Sequence, residues 1–187
     1  MKTTLNILKV FCTLLVISAF LEFVKRLHKV IYYFFNSDNE RSLLFNMQIP
    51  ENWSDTVYNT LAVISLGLIT YMVLLLVDFR QVIFNFSKAK VFTEENSKKL
   101  RGIGKGLIIY GVIITSLDII LGVLIADSSY GLTLDNSPYN LGYEFGHIIR
   151  ITVNKRLPIF LVALFIQFIS FILVKGNELQ DENDLTI

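Results

Sequence analysis

The chain of 187 residues is 53% hydrophobic and only 18% charged, with a mean hydropathy of +0.55; a water-soluble domain carries about 25% charge, so lipid is the expected main solvent. Seventeen Lys and Arg against 16 Asp and Glu leave a net charge of +1, with no global attraction to nucleic acid and so no direct nucleic-acid binding expected. A single cysteine, Cys12, excludes an intramolecular disulfide, a thiol–disulfide relay and a cysteine zinc site.

A bilayer core of about 30 Å needs roughly 20 apolar residues in a helix, and four such runs occur. The first, 5–24, contains Lys9 and ends in Glu22-Phe23-Val24-Lys25-Arg26. Lys2 and Lys9 ahead of it resemble the basic start of a secretory signal. Ser18-Ala19-Phe20 is a poor cleavage site and apolar residues resume at Val30, so an uncleaved anchor is expected. Glu22 beside Lys25 and Arg26 predicts an interfacial salt bridge. The second run, 57–77, has no charge and is bracketed by Asp55 and Asp78. The third, 103–126, holds Lys105 at its start and Asp118 inside. The fourth, 157–174, opens with Pro158 in its expected first turn, where a missing N–H is harmless, and contains Gln167. These runs define an all-α membrane protein of four transmembrane helices.

Lys and Arg counts set the orientation. The N-terminus, the segment between runs two and three and the tail together carry 10, against 7 on the other side, and seven of the 10 crowd the central loop. Both termini are therefore expected to be cytoplasmic. The segment 79–102 becomes a basic helical loop and 175–187 an acidic tail. Within the loop, Thr93 is placed to cap a helix, with Glu94 and Glu95 at its positive dipole end and Lys98, Lys99 and Arg101 following. That helix is expected to run directly into the third span. The basic cluster has a functional reading, a dock for anionic lipid or an acidic partner, beside the ordinary one that positive-inside topology already predicts such charges. Gly102-Ile103-Gly104-Lys105-Gly106 lacks the strand and full pattern of a phosphate loop; a flexible lead-in to span three or close helix packing is expected.

The two outer loops, of about 30 residues each, are too short for a separate domain. The alternation over 148–153 admits a short strand, and Asp135-Asn136-Ser137-Pro138 predicts a turn. Trp53, Tyr58, Tyr32, Tyr33, Tyr139 and Tyr143 fit an aromatic belt at the outer interface.

Asp118 is the sharpest single residue, because a carboxylate within a span costs about 2.5–3.5 kcal/mol and usually faces the bundle interior. It is a candidate proton or cation site, with Gln167, Thr115 or Ser116 as hydrogen-bond partners. The competing reading places it near the outer end in a structural role. Glu144 and His147 have the Glu-x-x-His spacing of paired metal ligands, but a di-metal site needs a second such motif and more glutamates; no metal or cofactor is expected. Serine-nucleophile, His-Glu-x-x-His and paired-cysteine motifs do not occur, so no enzyme is expected.

The acidic tail with Glu178, Asp181, Glu182 and Asp184, together with Val91-Phe92-Thr93-Glu94-Glu95-Asn96 and Leu100-Arg101-x-Ile103-Gly104, resembles the bacterial family called domain of unknown function 2975. The resemblance covers essentially the whole chain. It implies a four-helix bacterial inner-membrane protein, often encoded beside a small helix-turn-helix regulator, and it supplies no catalytic or ligand residues. The basic helix and acidic tail are expected to share one cytoplasmic face, as a mutual latch or as a dock for a soluble partner such as that regulator. Phe92, Thr93, Glu94, Asn96, Lys98, Lys99, Arg101, Glu178, Asp181, Glu182 and Asp184 are its candidate residues. This makes a regulatory or sensory membrane component the first reading. A small transporter or resistance-type protein using Asp118 is the second, and it calls for a homo-oligomer because four short helices enclose little pathway.

Overall fold

The computed structural model describes residues 2–35, 44–45, 49–88, 91–129 and 138–184, with the side chains of 2, 126–129, 138–141, 144, 181, 183 and 184 outside that description. Four helices result: α1 (Lys2–Phe35), α2 (Asp55–Ser87), α3 (Glu94–Ser129) and α4 (Pro138–Asp184). At 1.5 Å per residue they run from about 50 Å to about 70 Å, well beyond a bilayer core of about 30 Å. Each contains a stretch long and apolar enough to cross a membrane.

The helices outrun the apolar runs at both ends. α1 continues through the charged residues after 24 to Phe35, and α4 begins at Pro138. Residues 148–153 are therefore helical, where the alternation admitted a strand. Ile148 and Thr152 are one turn apart: Ile148 packs against Gly122 of α3 and Thr152 is buried. Tertiary burial overrides a weak β pattern. Pro158 likewise lies deep inside α4 rather than in a first turn. Its missing N–H leaves the carbonyl four residues earlier without its helical donor, which a packed membrane helix tolerates. Of the expected turn, residues 135–137 lie outside the described residues.

Burial recurs with a period of 3.5. On α1 the covered positions include Leu5, Lys9, Cys12, Val16, Ala19, Phe23, Arg26, Val30 and Tyr33, with Thr13 and Leu27 flanking the same stripe; on α2, Leu61, Leu68, Leu75 and Val82 recur every seventh residue. On α3, Leu100, Leu107, Ile114 and Leu121 do the same. A sustained seven-residue repeat keeps one seam facing a neighbour by left-handed supercoiling. The helices pack in chain order, α1 on α2, α2 on α3 and α3 on α4, the last pair most extensively. Two buried clusters result, one around Tyr33, Tyr58 and Leu121 at the end far from the termini, the other around Val82, Leu100 and Leu173 at the end that carries them.

At the far end, Ser54 caps α2 by accepting from the Val57 N–H at 3.4 Å. Tyr33 of α1 donates to Asp55 Oδ1 at 2.8 Å, and its ring lies 4.5 Å from that of Tyr58. Tyr58 is fully buried and Tyr33 nearly so, which removes both from the expected aromatic belt: they clamp α1 to α2. Tyr32 and Tyr143 are exposed, as a belt requires.

Candidate functional site

The first site is the junction between α2, α3 and α4 at the end carrying the termini. Thr93 Oγ1 accepts from the Asn96 N–H at 3.3 Å and Thr93 O from the Ser97 N–H at 3.2 Å, so the expected cap forms and α3 runs unbroken into its span. Asn96 is fully buried. Its Oδ1 accepts from Asn85 Nδ2 of α2 at 2.8 Å and its Nδ2 donates to Val91 O at 3.3 Å, which pins the connection between the two helices. Phe92 reaches across to α4: a Cβ on Gly176 would overlap its ring, so only glycine admits the contact. Ser170 of α4 donates to Ser97 O at 2.7 Å, buried between the helices.

Glycines extend this contact along the pair. A Cβ on Gly104 would lie 3.0 Å from Ala163 O and 2.5 Å from Gln167 Cγ, and one on Gly111 would lie 3.0 Å from the Phe160 ring. Ser97, Gly104, Gly111 and Asp118 on α3 are spaced by seven, as are Arg156, Ala163 and Ser170 on α4. Small residues at heptad positions let two backbones approach closely. Of the two readings of the glycine triplet, close packing holds for Gly104, against α4, and Gly106, against Leu75 and Tyr71 of α2; Gly102 faces open space.

Three lysines pair within their own helices. Lys98 bridges Glu94 at 2.7 Å, Lys99 bridges Glu95 at 2.8 Å, and Lys175 bridges Glu178 at 2.6 Å. The Lys98 ammonium holds the Glu94 carboxyl below its ordinary range, through a hydrogen bond and its charge. Glu178 raises the Lys175 ammonium by the same two effects. Arg101 and Glu182 are exposed, and α4 is helical through 184, although the side chains of Asp181 and Asp184 lie outside the described residues. Among the described residues, what fastens this end together is Phe92 on Gly176 and Ser170 on Ser97, neither of which the charge pattern announced.

The second site is a polar layer nearer the far end. Asp118, 1% exposed, receives Arg156 Nε at 2.8 Å and Nη2 at 2.6 Å, both on Oδ2. Its partner is therefore on α4, and it is a cation rather than the expected Gln167, Thr115 or Ser116. Gln167 packs on Gly104, fourteen residues and about 21 Å along α3 from Asp118. Arg26 of α1 donates to Ser65 of α2 at 3.4 Å and pairs with Glu22 at 3.2 Å, a salt bridge within α1, which continues past it to Phe35. Tyr110 of α3 packs against the cluster that holds Leu68 and Ile114. A carboxylate thus meets a guanidinium within α1, beside Ser65 of α2, and again between α3 and α4. Asp118 Oδ1, Thr115 Oγ1 and Asn59 Oδ1 are buried and make no hydrogen bond among the described residues.

Sequence reasoning found Asp118 but not Arg156, and found Phe92 and Asn96 but not Gly176, Ser170 or Asn85. The signal that was available is the seven-residue spacing of small and polar residues on α3 and α4. Four long apolar helices packed in chain order define a multi-pass α-helical membrane protein. The chain matches the family described as "Protein of unknown function (DUF2975)" over residues 3–187 and belongs to it. No curated protein and no solved structure matches.

Proposed function

We propose that this protein is a non-enzymatic regulatory or sensory component of the bacterial inner membrane, with both termini cytoplasmic. The face built from residues 91–101 and the end of α4 binds a soluble partner such as a small helix-turn-helix regulator. The observation that supports this reading is the clasp of Phe92 on Gly176 with Ser170 on Ser97. A clasp made of ring, glycine and hydroxyl leaves the charged side chains directed outward. Glu94 and Lys98 are each about three-quarters exposed, and Arg101, Glu178 and Glu182 are exposed as well. A face with both signs of charge suits a protein partner better than a membrane surface, which would repel the acidic arm.

The test is crosslinking in native cells, with photoreactive residues at Lys99 and Glu182. Capture of a DNA-binding protein at both positions is the expected result. Capture of only the protein's own chain overturns partner binding in favour of self-association. A second reading, movement of a proton or solute through Asp118 in a homo-oligomer, draws on the unpaired Asp118 Oδ1 and Thr115 Oγ1. Asp118→Asn separates the two: loss of the cellular phenotype with normal insertion favours transport, and an intact phenotype favours the partner-binding face.

A further inference from the structure

A shallow cavity of about 380 Å³ opens on the outside of the α1–α2 pair, at the end carrying the termini, between Asn6, Lys9, Val10 and Leu14 of α1 and Phe84 of α2. Two cations converge on the Phe84 ring. Lys9 Nζ lies 5.1 Å from its centroid and Arg80 Cζ 4.7 Å. Arg80 Nε is fixed by donation to Thr13 Oγ1 at 3.1 Å, which leaves the outer edge of its guanidinium for another acceptor. Among the described residues neither cation has a carboxylate partner. That contrasts with Arg26 and Arg156, which are both paired.

Two like charges against one ring repel each other, and an anion seated between them is attracted by both. The geometry points to an anionic phospholipid bound here, its phosphate held by Lys9 and Arg80. A guanidinium and an ammonium are the donors suited to phosphate oxygens, the first as a fork and the second as a point charge. A lipid, rather than free phosphate, is indicated by what continues from the cavity. Val10, Leu14, Ile17 and Leu21 are spaced by three or four along α1 and are exposed by 60%, 58%, 49% and 62%. They form one apolar stripe leading from the cations toward the middle of the helix, where an acyl chain would lie. The site is separate from the partner-binding face proposed above, because none of Lys9, Arg80 and Phe84 belongs to that face.

The full-length protein, extracted in detergent and examined by native mass spectrometry with equimolar phosphatidylglycerol and phosphatidylcholine, tests this. Preferential retention of phosphatidylglycerol is expected, and Lys9→Gln should reduce it about fivefold, the factor for one basic residue near a lipid surface. Arg80→Gln should do the same, whereas Lys98→Gln with Lys99→Gln should leave it unchanged. Among the described residues the Lys9 side chain makes no hydrogen bond between the helices, so its variant keeps the test open if Arg80→Gln fails to fold. Equal retention of the two lipids, or indifference to Lys9→Gln, overturns the site. Inorganic phosphate bound equally well, with lipid retention unaffected by Leu14→Ser, overturns the assignment to a lipid.

Discussion

Asp118 and Arg156 lie between α3 and α4 with 1% and 15% of their side chains exposed. Removing either partner strands the other charge in a region that water hardly reaches. Asp118→Ala or Arg156→Ala should each cost about 3 kcal/mol, and Asp118→Leu with Arg156→Leu should recover most of that. Unfolding in mild detergent measures both, and strictly additive losses would show that the two groups are independent. The glycines provide a sharper contrast over two positions. Gly104→Ala sets a methyl against a backbone carbonyl that cannot rotate away, at a cost of about 1–3 kcal/mol. Gly102→Ala meets nothing and should be neutral or stabilising by about 0.5–1 kcal/mol, since glycine is a poor interior helix residue. Equal effects at the two positions would mean that α3 and α4 do not approach as closely as described.

The end of α4 shows how an element is held. Among the described side chains Lys175 bridges Glu178 within α4 and Lys98 and Lys99 bridge to the acidic first turn of α3, whereas Phe92 on Gly176 joins the two elements directly. Lys98→Gln, Lys99→Gln and Arg101→Gln together should leave the protease sensitivity of the last ten residues unchanged. Phe92→Ala, which removes the ring from Gly176, should raise it severalfold. The reverse pattern would restore an electrostatic latch. Asn96→Ala belongs to the same element. It leaves the half-buried Asn85 without its acceptor, and a cost of about 1 kcal/mol follows from the lost hydrogen bond. Its unfolding midpoint in detergent is the readout.

Across the whole molecule, the apolar runs of α1 and α4 are offset from those of α2 and α3. The runs of α1 and α4 stop near Arg26 and Arg156, whereas those of α2 and α3 continue past the partners of these residues, Ser65 and Asp118. Chain-ordered packing forces the offset, because each helix takes its depth only from its neighbours' register. The proposed orientation is tested by a membrane-impermeant maleimide. Lys99→Cys and Glu182→Cys, each with Cys12→Ser, should react only after the cells are opened, and Asn52→Cys should react in intact cells. Labelling of Lys99→Cys in intact cells inverts the topology and removes the soluble cytoplasmic partner with it.

How much of this was legible in the sequence depended on which contrast each feature relied on. The four helices were legible, because a bilayer of about 30 Å demands predominantly apolar runs of about 20 residues and soluble sequences rarely contain them. Thr93 was legible as a cap and Asp118 as an outlier, since each is a polar residue in a place that constrains it. The lengths of α1 and α4 beyond the bilayer were not. Lys25, Arg26, Arg150 and Lys155 look like the ends of spans, yet helices packed on neighbours continue through them. Nor was the choice of faces legible. With lipid on one side and protein on the other, both faces of a membrane helix are apolar, so hydrophobicity carries no sign of direction. Leu68 is buried and Leu74 exposed, and nothing in the residue type separates them. The sequence by itself determined four apolar helices and the polar residues they must accommodate. Only the tertiary structure decided that Asp118 meets Arg156, that Phe92 covers Gly176 and that Lys9 and Arg80 share one ring. Register between helices comes from small residues fitting against particular neighbours, a property of pairs of surfaces and not of either strip of sequence alone.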